Sequence, residues 1–357
     1  MTTSSVSVLD ATDLKNRWDA LRAENPRLRI RNAADELGVT EVQLLAVGGH
    51  ATRLRPEHQS ILGDVPSLGR VMALTRNDHV VHERKGHYLN PELDGPHVGL
   101  FVGADIDLRI FWRSWAHAYA VSQEMRGTMR HSLQFFANDG QAIHKIYLQP
   151  ESDLDAYQAL VDRYRHDEQD VVPTVDAVKP PPEEVPDADI DVESFQEGWR
   201  TLKDTHDFFG LVHRHKLTRT QALRLAPAGD YAVKVDPAAV RAIVTRAAEA
   251  ECPIMVFVGN KGMIQIHTGP VKRLLDHEEW FNVMDPDFNL HLREPAVTDC
   301  WVVRKPTEDG TVTAIECFDD TGTQIVQFFG KRKPGIPELE LWRELVAGVQ
   351  ADFALAD

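Results

Sequence analysis

The chain has 357 residues, with 39 Lys and Arg against 55 Asp and Glu, so its formal net charge is −16. Such an acidic chain lacks the basic surface on which nucleic-acid binders and polybasic membrane-surface proteins depend. A content of 43% hydrophobic and 26% charged residues is typical of a globular protein. No apolar run approaches the ~18 residues of a membrane helix. We therefore expect a protein that is not membrane-embedded and has no nucleic acid as a general partner.

Cysteines and the N-terminus suggest a compartment. Cys252, Cys300 and Cys317 form no CxxC pair and no even framework, which argues against a disulfide scaffold and a Cys-rich zinc site. Residues 1–10 have neither the basic start nor the apolar centre of a secretory signal. The expected protein is reduced and cytoplasmic, with two domains at roughly 150 residues per domain.

Residues 33–46 have the pattern of a helix–turn–helix, with small residues, a turn at Gly38 and a second helix capped by Thr40. Residues 217–225 repeat the pattern. A DNA-reading recognition helix would meet phosphates where Glu41 stands, so an αα-corner is the better interpretation. A helix-turn-helix DNA-binding protein, or a purely structural two-domain protein without a cofactor, remains the alternative.

Residues 105–112 read as a β-strand. Alternation puts Asp107, Arg109 and Phe111 on one face and apolar residues on the other. The strand either has an ordinary polar side, or Arg109 and Phe111 together face a ligand.

Residues 167–193 differ from the rest, because five prolines stand among many acids. Proline fixes φ and like charges repel, which predicts an extended, solvated linker. The predicted organisation is an N-terminal half (1–165), an acidic Pro-rich linker (166–193) and a C-terminal half (194–357).

A capping box at Ser194-x-x-Glu197 predicts that the second half opens with a helix. Leu202, His206, Phe209 and His213 would share one stripe of that helix. A histidine on an apolar stripe is usually a core residue, but Gly210 would let a ligand approach, and the equivalent stretch of the first half has no histidine.

The rest of the second half predicts two helices, then strands, then a closing helix. The helices start at Thr218 and at Asp236-Pro237, and the closing helix covers about 339–353. Between them lie a hairpin (255–258 and 263–266) and strands at 288–292, 301–303, 311–315 and 324–329. Short loops imply antiparallel pairing, so each half is predicted to be an antiparallel β-sheet with flanking helices, of α+β class.

The two halves also look like copies of each other. Gly140 and Gly322 are 182 residues apart in similar turns, Asn77 and Asn260 are 183 apart, and Trp18 and Trp199 are 181 apart. Matches in the same order with nearly constant offset predict a tandem duplication of a whole domain.

Two basic clusters follow strands, at Arg304-Lys305 and at 331–333. They are either solvated loop charges or an anion site for carboxylates or phosphates. His213, His215 and the pair His82-Glu83 have ligand-type side chains without HExxH spacing, so we expect no classical zinc site. No GxGxxG follows a strand, so we expect no bound nucleotide cofactor.

Several long motifs resemble the cytoplasmic hemin-degrading and hemin-transport family of the HemS/ChuS/PhuS type. They cover roughly residues 15–165 and 190–350, and read DIDLRIFW, THDFFGLVHRHKLTRTQALRLAP, VGNKGMIQIHTGPV, DPDFNLHLRE, WVVRKPT and QIVQFFGKRKPG. The resemblance implies a tandem duplication that binds one b-type haem between its halves. It also implies haem supply from an inner-membrane importer, and either transfer to a haem oxygenase or degradation by the protein itself.

Carried over by motif, His206 matches the family's proximal iron ligand, and Arg109 and Phe111 match the distal arginine and aromatic. The match puts Arg304 or Lys305 at a propionate-binding position and Arg332 at a basic position that faces the haem. It also offers Lys216 and Arg219 as further propionate partners. The resemblance leaves open whether the protein is a carrier or a reductant-dependent haem-degrading oxygenase. In the second case a partner reductase or a small reductant must supply electrons.

Overall fold

The computed structural model describes residues 10–125, 127–333 and 335–355. Residues 1–10, which lack the pattern of a secretory signal, lie outside the described residues except for Asp10. Ten α-helices are defined within the described ranges: α1 (Ala11–Glu24), α2 (Ile30–Leu37), α3 (Glu41–Ala46), α4 (His58–Asp64), α5 (Leu154–Tyr164), α6 (Val192–Arg200), α7 (Asp207–Arg214), α8 (Arg219–Arg224), α9 (Ala239–Glu249) and α10 (Glu340–Phe353). None of these helices is both long and apolar enough to cross a membrane.

The strands fall into two runs along the chain, β1–β9 and β10–β18. They are β1 (Ala51–Leu54), β2 (Val71–Arg76), β3 (Val80–Gly86), β4 (Pro91–Glu92), β5 (Val98–Val102), β6 (Asp107–Phe111), β7 (Trp115–Met125), β8 (Thr128–Ala137), β9 (Ala142–Leu148), β10 (Ala232–Val235), β11 (Ile254–Gly259), β12 (Met263–Gly269), β13 (Leu274–His277), β14 (Trp280–Met284), β15 (Phe288–Arg293), β16 (Asp299–Thr307), β17 (Gly310–Phe318) and β18 (Gln324–Gly330).

The chain forms two compact units. The first contains the described parts of Met1–Thr75, Lys85–Val178 and Asn260–Met263, and the second those of Arg76–Arg84, Lys179–Gly259 and Ile264–Asp357. Each unit therefore includes a short hairpin segment from the other half of the sequence.

Strand order is equivalent in the two units. In the first, β1, β7, β8, β9 and β2 pair side by side, and β4, β5 and β6 form a second ladder. In the second, β10, β16, β17, β18 and β11 pair in the matching order, with β12 beside β11. Its other ladder is β3, β15, β14 and β13. All these pairings are antiparallel, so the predicted α+β class is confirmed.

Equivalent residues take equivalent conformations, as a duplication requires. Gly140 and Gly322 both have positive φ, at 80° and 75°, in turns where L side chains are strained. A Cβ on Gly140 would collide with Thr40, and one on Gly322 would press on Thr220. Both turns therefore need glycine for the same two reasons.

The two hairpin segments, Arg76–Arg84 in the second unit and Asn260–Met263 in the first, are held by matching contacts. In the second unit, the Asn77 amide donates to the carbonyl of Ile325 at 2.8 Å. In the first, the Asn260 amide donates to the carbonyl of Ile143 at 2.8 Å. The spacing from Asn77 to Asn260 is 183 residues and that from Ile143 to Ile325 is 182. The repeat therefore extends to the side-chain contacts that hold the two segments in place.

The helix-turn-helix segment is an αα-corner, as expected. Gly38 ends α2 in the left-handed region, and Thr40 and Gln43 form the capping box of α3. Every residue of α3 is buried, and Glu41 pairs with Lys145 at 2.5 Å. A helix without an exposed face cannot lie in a DNA groove.

The single helix predicted to open the second half and to carry a stripe from Leu202 to His213 is wrong in one respect: it is two helices, α6 and α7, separated by residues 201–206. Asp191, rather than Ser194, caps α6. Phe208 lies nine residues after Trp199, so a continuous helix would turn the two rings to opposite faces. The break lets both rings enter one cluster, 4.4 Å apart and edge-on.

The other predicted helices and the hairpin are close to expectation. The helix expected from Asp236-Pro237 begins at Ala239, because Pro237 and Ala238 form a turn in which Asp236 accepts the Ala238 N–H at 2.8 Å. Thr218 caps α8, the hairpin β11–β12 forms as predicted, and α10 closes the chain.

The acidic segment has no helix or strand from 171 to 186, but a 3-10 turn follows at Asp187–Asp189 and α6 already begins at Val192. It is also not simply solvated. Pro173 accepts from Gln43 at 3.3 Å, and the Asp176 N–H donates to Asn138 at 2.8 Å, both in the first unit. In the second unit, Glu184 and Asp187 pair with Arg224. Both ends of the segment are therefore anchored by specific contacts, which charge repulsion alone does not predict.

Candidate functional site

His206 occupies the turn immediately before α7, as the N-cap residue of that helix. Its side chain is 89% exposed. The alternative that it is a core histidine on an apolar stripe is wrong, because α6 ends at Arg200 and the stripe does not exist as one helix face. Phe209, one turn further on, is also exposed. An imidazole and, three residues later, an aromatic ring are therefore both exposed on the second unit.

Asp204 holds His206 by two contacts to one oxygen. Its Oδ1 accepts the backbone N–H of His206 at 2.8 Å and lies 2.6 Å from the ring Nδ1. The hydrogen bond from the backbone N–H of His206 is the main reason why the pKa of the Asp204 carboxyl lies below its usual value. The His206 ring and the charge of Arg332 lower this pKa further, and burial partly opposes the shift. An ionised carboxylate only accepts, so in the neutral ring this contact places the proton on Nδ1 and leaves the lone pair on Nε2.

Arg332 lies close enough to this turn for its charge to act on Asp204. One guanidinium nitrogen lies 3.5 Å from Asp309. Its Nε is buried and has no hydrogen-bond partner among residues 10–125, 127–333 and 335–355. A partly buried cation with an unused donor fits a carboxylate ligand such as a haem propionate.

Lys305 and Arg219 meet at a buried carboxylate. Arg219 donates two hydrogen bonds to Glu316, at 2.9 and 2.6 Å, and Lys305 donates one at 3.0 Å. Burial would raise the pKa of Glu316, but the two cations lower it to about 2. Burial lowers the pKa of Lys305 to about 8, against the attraction of Glu316. Both cations also lie over the ring of Phe208, at 4.5 and 5.0 Å.

Arg304 points the other way from Lys305, since neighbouring residues of a strand face opposite sides. Its guanidinium donates to the Asp230 carbonyl at 3.1 Å and to Gln350 of α10 at 2.8 Å. Burial lowers its pKa. The structure thus brings Lys305, Arg219 and Phe208 together and separates Arg304 from them.

Lys216 lies in the turn after α7, with its side chain exposed and a φ of 56°. Its N–H donates to the carbonyl of His213 at 3.1 Å, which closes the helix end. The turn before α7 thus presents His206, and the turn after it presents a lysine.

Arg109 and Phe111 belong to the first unit, on β6. The predicted alternation is confirmed: Asp107, Arg109 and Phe111 are half-buried on one face, and Leu108 and Ile110 are buried on the other. Arg109 pairs with Asp107 on the same face. Burial raises the pKa of the Asp107 carboxyl, and Arg109 opposes that shift.

Sequence reasoning missed Asp204, Glu316 and Asp309 as partners of the histidine and the candidate cations. It placed Asp107 on the same face as Arg109 without predicting their ion pair. Asp204 had a local signal, because an Asp two residues before another residue often accepts its N–H. Glu316 had none, since 97 residues separate it from Arg219. Within the described ranges no group of three His, Cys, Asp or Glu side chains is placed to hold a metal ion.

The family model described as the haemin-degrading HemS.ChuX domain matches the chain twice, over residues 38–164 and 216–349. The chain is 39% identical over 340 residues to the hemin transport protein HmuS of Yersinia pestis. The aligned region covers 94% of this chain and 96% of that protein. The double match agrees with the duplication seen in the fold.

Two solved structures have the same fold over nearly the whole chain. Holo-PhuS, a heme-binding protein from Pseudomonas aeruginosa, is 46% identical and covers 94% of this chain and 98% of its own, with a TM-score of 0.91. The heme degrading enzyme ChuS of Escherichia coli O157:H7 is 34% identical, and the match covers 95% of this chain and 99% of ChuS, with a TM-score of 0.88.

Proposed function

The chain belongs to the family of haemin-degrading HemS.ChuX domain proteins, and on that premise we propose that it binds one haem b per chain through His206. The observation that best supports this proposal is the environment of the His206 side chain. The side chain is exposed, its Nδ1 is engaged by Asp204, and its Nε2 lone pair is left for a ligand. A neutral imidazole held in this way suits haem iron as an axial ligand.

The carboxylates of haem need cations beside the apolar ring. Arg332 supports this part of the proposal best, because its Nε is buried and its charge acts at the Asp204–His206 turn. Lys216 is exposed at the other end of α7. Lys305 and Arg219 could reach a propionate only by sharing their contacts with Glu316, and Arg304 would have to leave Gln350.

We assign Arg109 and Phe111 to the haem face opposite His206, as the family resemblance implies. Arg109 is permanently protonated and so is a poor iron ligand but a good donor to whatever iron binds. Phe111 would keep that side dry. Their common face on β6 supports a joint role.

The function that follows is handling of imported haem in the cytoplasm, as a carrier, as a haem-degrading factor that releases iron, or as both. The relatives support each: one is named a hemin transport protein and another a heme degrading enzyme. An inner-membrane importer would supply the haem. A downstream haem oxygenase would take it from a carrier, and a reductase would supply electrons to an enzyme.

The test is a haem-loaded absorption spectrum of the wild type, His206→Ala and His213→Ala. We expect His206→Ala to lose or strongly shift the Soret band, because the axial nitrogen is gone, and His213→Ala to keep it. An unchanged His206→Ala spectrum and affinity would assign the iron to another residue. A time course with reductant and catalase then separates carrier from enzyme, because catalase removes the free peroxide that bleaches haem without catalysis.

A further inference from the structure

We propose that Asp204 is a positioning residue for the iron ligand: its carboxylate fixes the His206 ring in the Nδ1–H tautomer and strengthens Nε2 as a donor. The inference rests on the proposed function, since it concerns the residue assigned to the iron. It assigns a role to a side chain that motif matching did not single out.

The geometry of the turn carries the proposal. One oxygen of Asp204 accepts both the backbone N–H and the ring Nδ1 of the same residue, at 2.8 and 2.6 Å. The first contact fixes where the backbone of His206 stands, and the second fixes the rotation of its ring. The side chain that would meet iron is thus oriented although it is 89% exposed.

The chemistry of the pair follows from its charge. Hydrogen bonds to an ionised acceptor are about twice as strong as neutral ones. Partial transfer of the Nδ1 proton toward the carboxylate raises electron density at Nε2, which favours the ferric over the ferrous state.

Asp204 also has structural contacts at the start of α7. The Asp204 carbonyl accepts the N–H of Asp207 at 3.2 Å, and the carboxylate closes the turn through the His206 N–H. Asp204→Asn keeps an oxygen for that N–H but removes the charge. A purely structural Asp204 would therefore tolerate asparagine, whereas a positioning carboxylate would not.

The experiment compares Asp204→Asn with Asp207→Asn, a matched loss of one carboxylate three residues along the chain. The first readout uses the protein without haem: nitrogen NMR of His206 should show the Nδ1–H tautomer in the wild type and in Asp207→Asn. It should show a mixture of tautomers in Asp204→Asn. A wild-type ring protonated at Nε2 would overturn the proposal whatever binds iron.

The second readout uses the haem complex. In Asp204→Asn we expect a lower iron–histidine stretching frequency and a preference for ferric haem reduced about tenfold, a rise of about 59 mV in the one-electron potential. Equal values in Asp204→Asn and Asp207→Asn would overturn the positioning role. That failure is distinct from failure of the haem assignment, which the His206→Ala spectrum decides separately.

Discussion

Lys305 donates a hydrogen bond to Glu316 at 3.0 Å, across the neighbouring strands β16 and β17, with both side chains almost fully buried. Arg219 and Gln324 complete the contacts of the carboxylate, at 2.6 and 3.0 Å. A lysine that the family resemblance offers to a haem propionate is thus already paired within the second unit. Its first effect should be on stability.

Glu316→Gln should destabilise the protein by about 3–5 kcal/mol, because it leaves the buried Lys305 and the partly buried Arg219 without their shared anion. Lys305→Met should cost less, since Arg219 and Gln324 still satisfy Glu316. Urea unfolding measures both, with the exposed Glu344→Gln on α10 as control. A Glu316→Gln variant as stable as Glu344→Gln would show that the buried network is not energetically significant.

Arg332→Ala should weaken haem binding by about 1–3 kcal/mol, the usual worth of a charged hydrogen bond. Haem dimethyl ester should respond little, because it has no carboxylate for the guanidinium to bind. Arg304→Ala is the comparison, since Arg304 contacts Asp230 and Gln350 on the opposite face of β16 from Lys305. The measurement is a titration of haem and of haem dimethyl ester into the wild type, Arg332→Ala and Arg304→Ala. If ester and free acid lose affinity equally, Arg332 supports the fold rather than a propionate.

Arg109→Ala should leave most of the haem affinity but raise the pH at which ferric-haem-bound water ionises, because the hydroxide loses a stabilising cation. It should also slow any reductant-driven breakdown. Asp107→Asn should shift the ionisation the other way, since the carboxylate that offsets Arg109 is removed. A pH titration of the ferric spectrum tests both. Shifts of the same sign in the two variants would place Arg109 away from the iron.

Acid should destabilise the protein below about pH 6.5, because burial lowers the pKa values of His58, His144 and His267 to about 4, 3 and 3. The unfolded chain takes up these protons first as pH falls, so each histidine costs about 1.4 kcal/mol of stability per pH unit down to its folded pKa. Unfolding free energies at pH 7, 6 and 5 measure the slope.

His267→Phe should reduce that slope by one proton, because His267 is stacked on Phe288 at 3.7 Å and a phenyl ring does not titrate. The matched control is His277→Phe, the same substitution at an exposed position. Equal slopes in wild type and His267→Phe would mean that His267 is not held neutral in the folded state.

Local patterns determined much of this protein. The alternation of β6, the hairpin of β11 and β12 and the capped αα-corner follow from residues within a few positions of each other. The repeat was readable because each copy keeps its own glycine turns and asparagines in order. The family motifs also lie in short stretches of the chain, so the fold class, the family and the candidate residues follow from the sequence alone.

Long-range packing decided the rest. The break between α6 and α7 exists because Trp199 and Phe208 must enter one cluster, a demand that no capping pattern expresses. Only the tertiary structure shows that Asp204 holds His206, and that Lys305 and Arg219 share Glu316 while Arg304 faces α10. The sequence determines the period of a strand. The partner of a buried charge depends instead on strands and helices far away in the chain, because a desolvated charge must be neutralised wherever the fold places it.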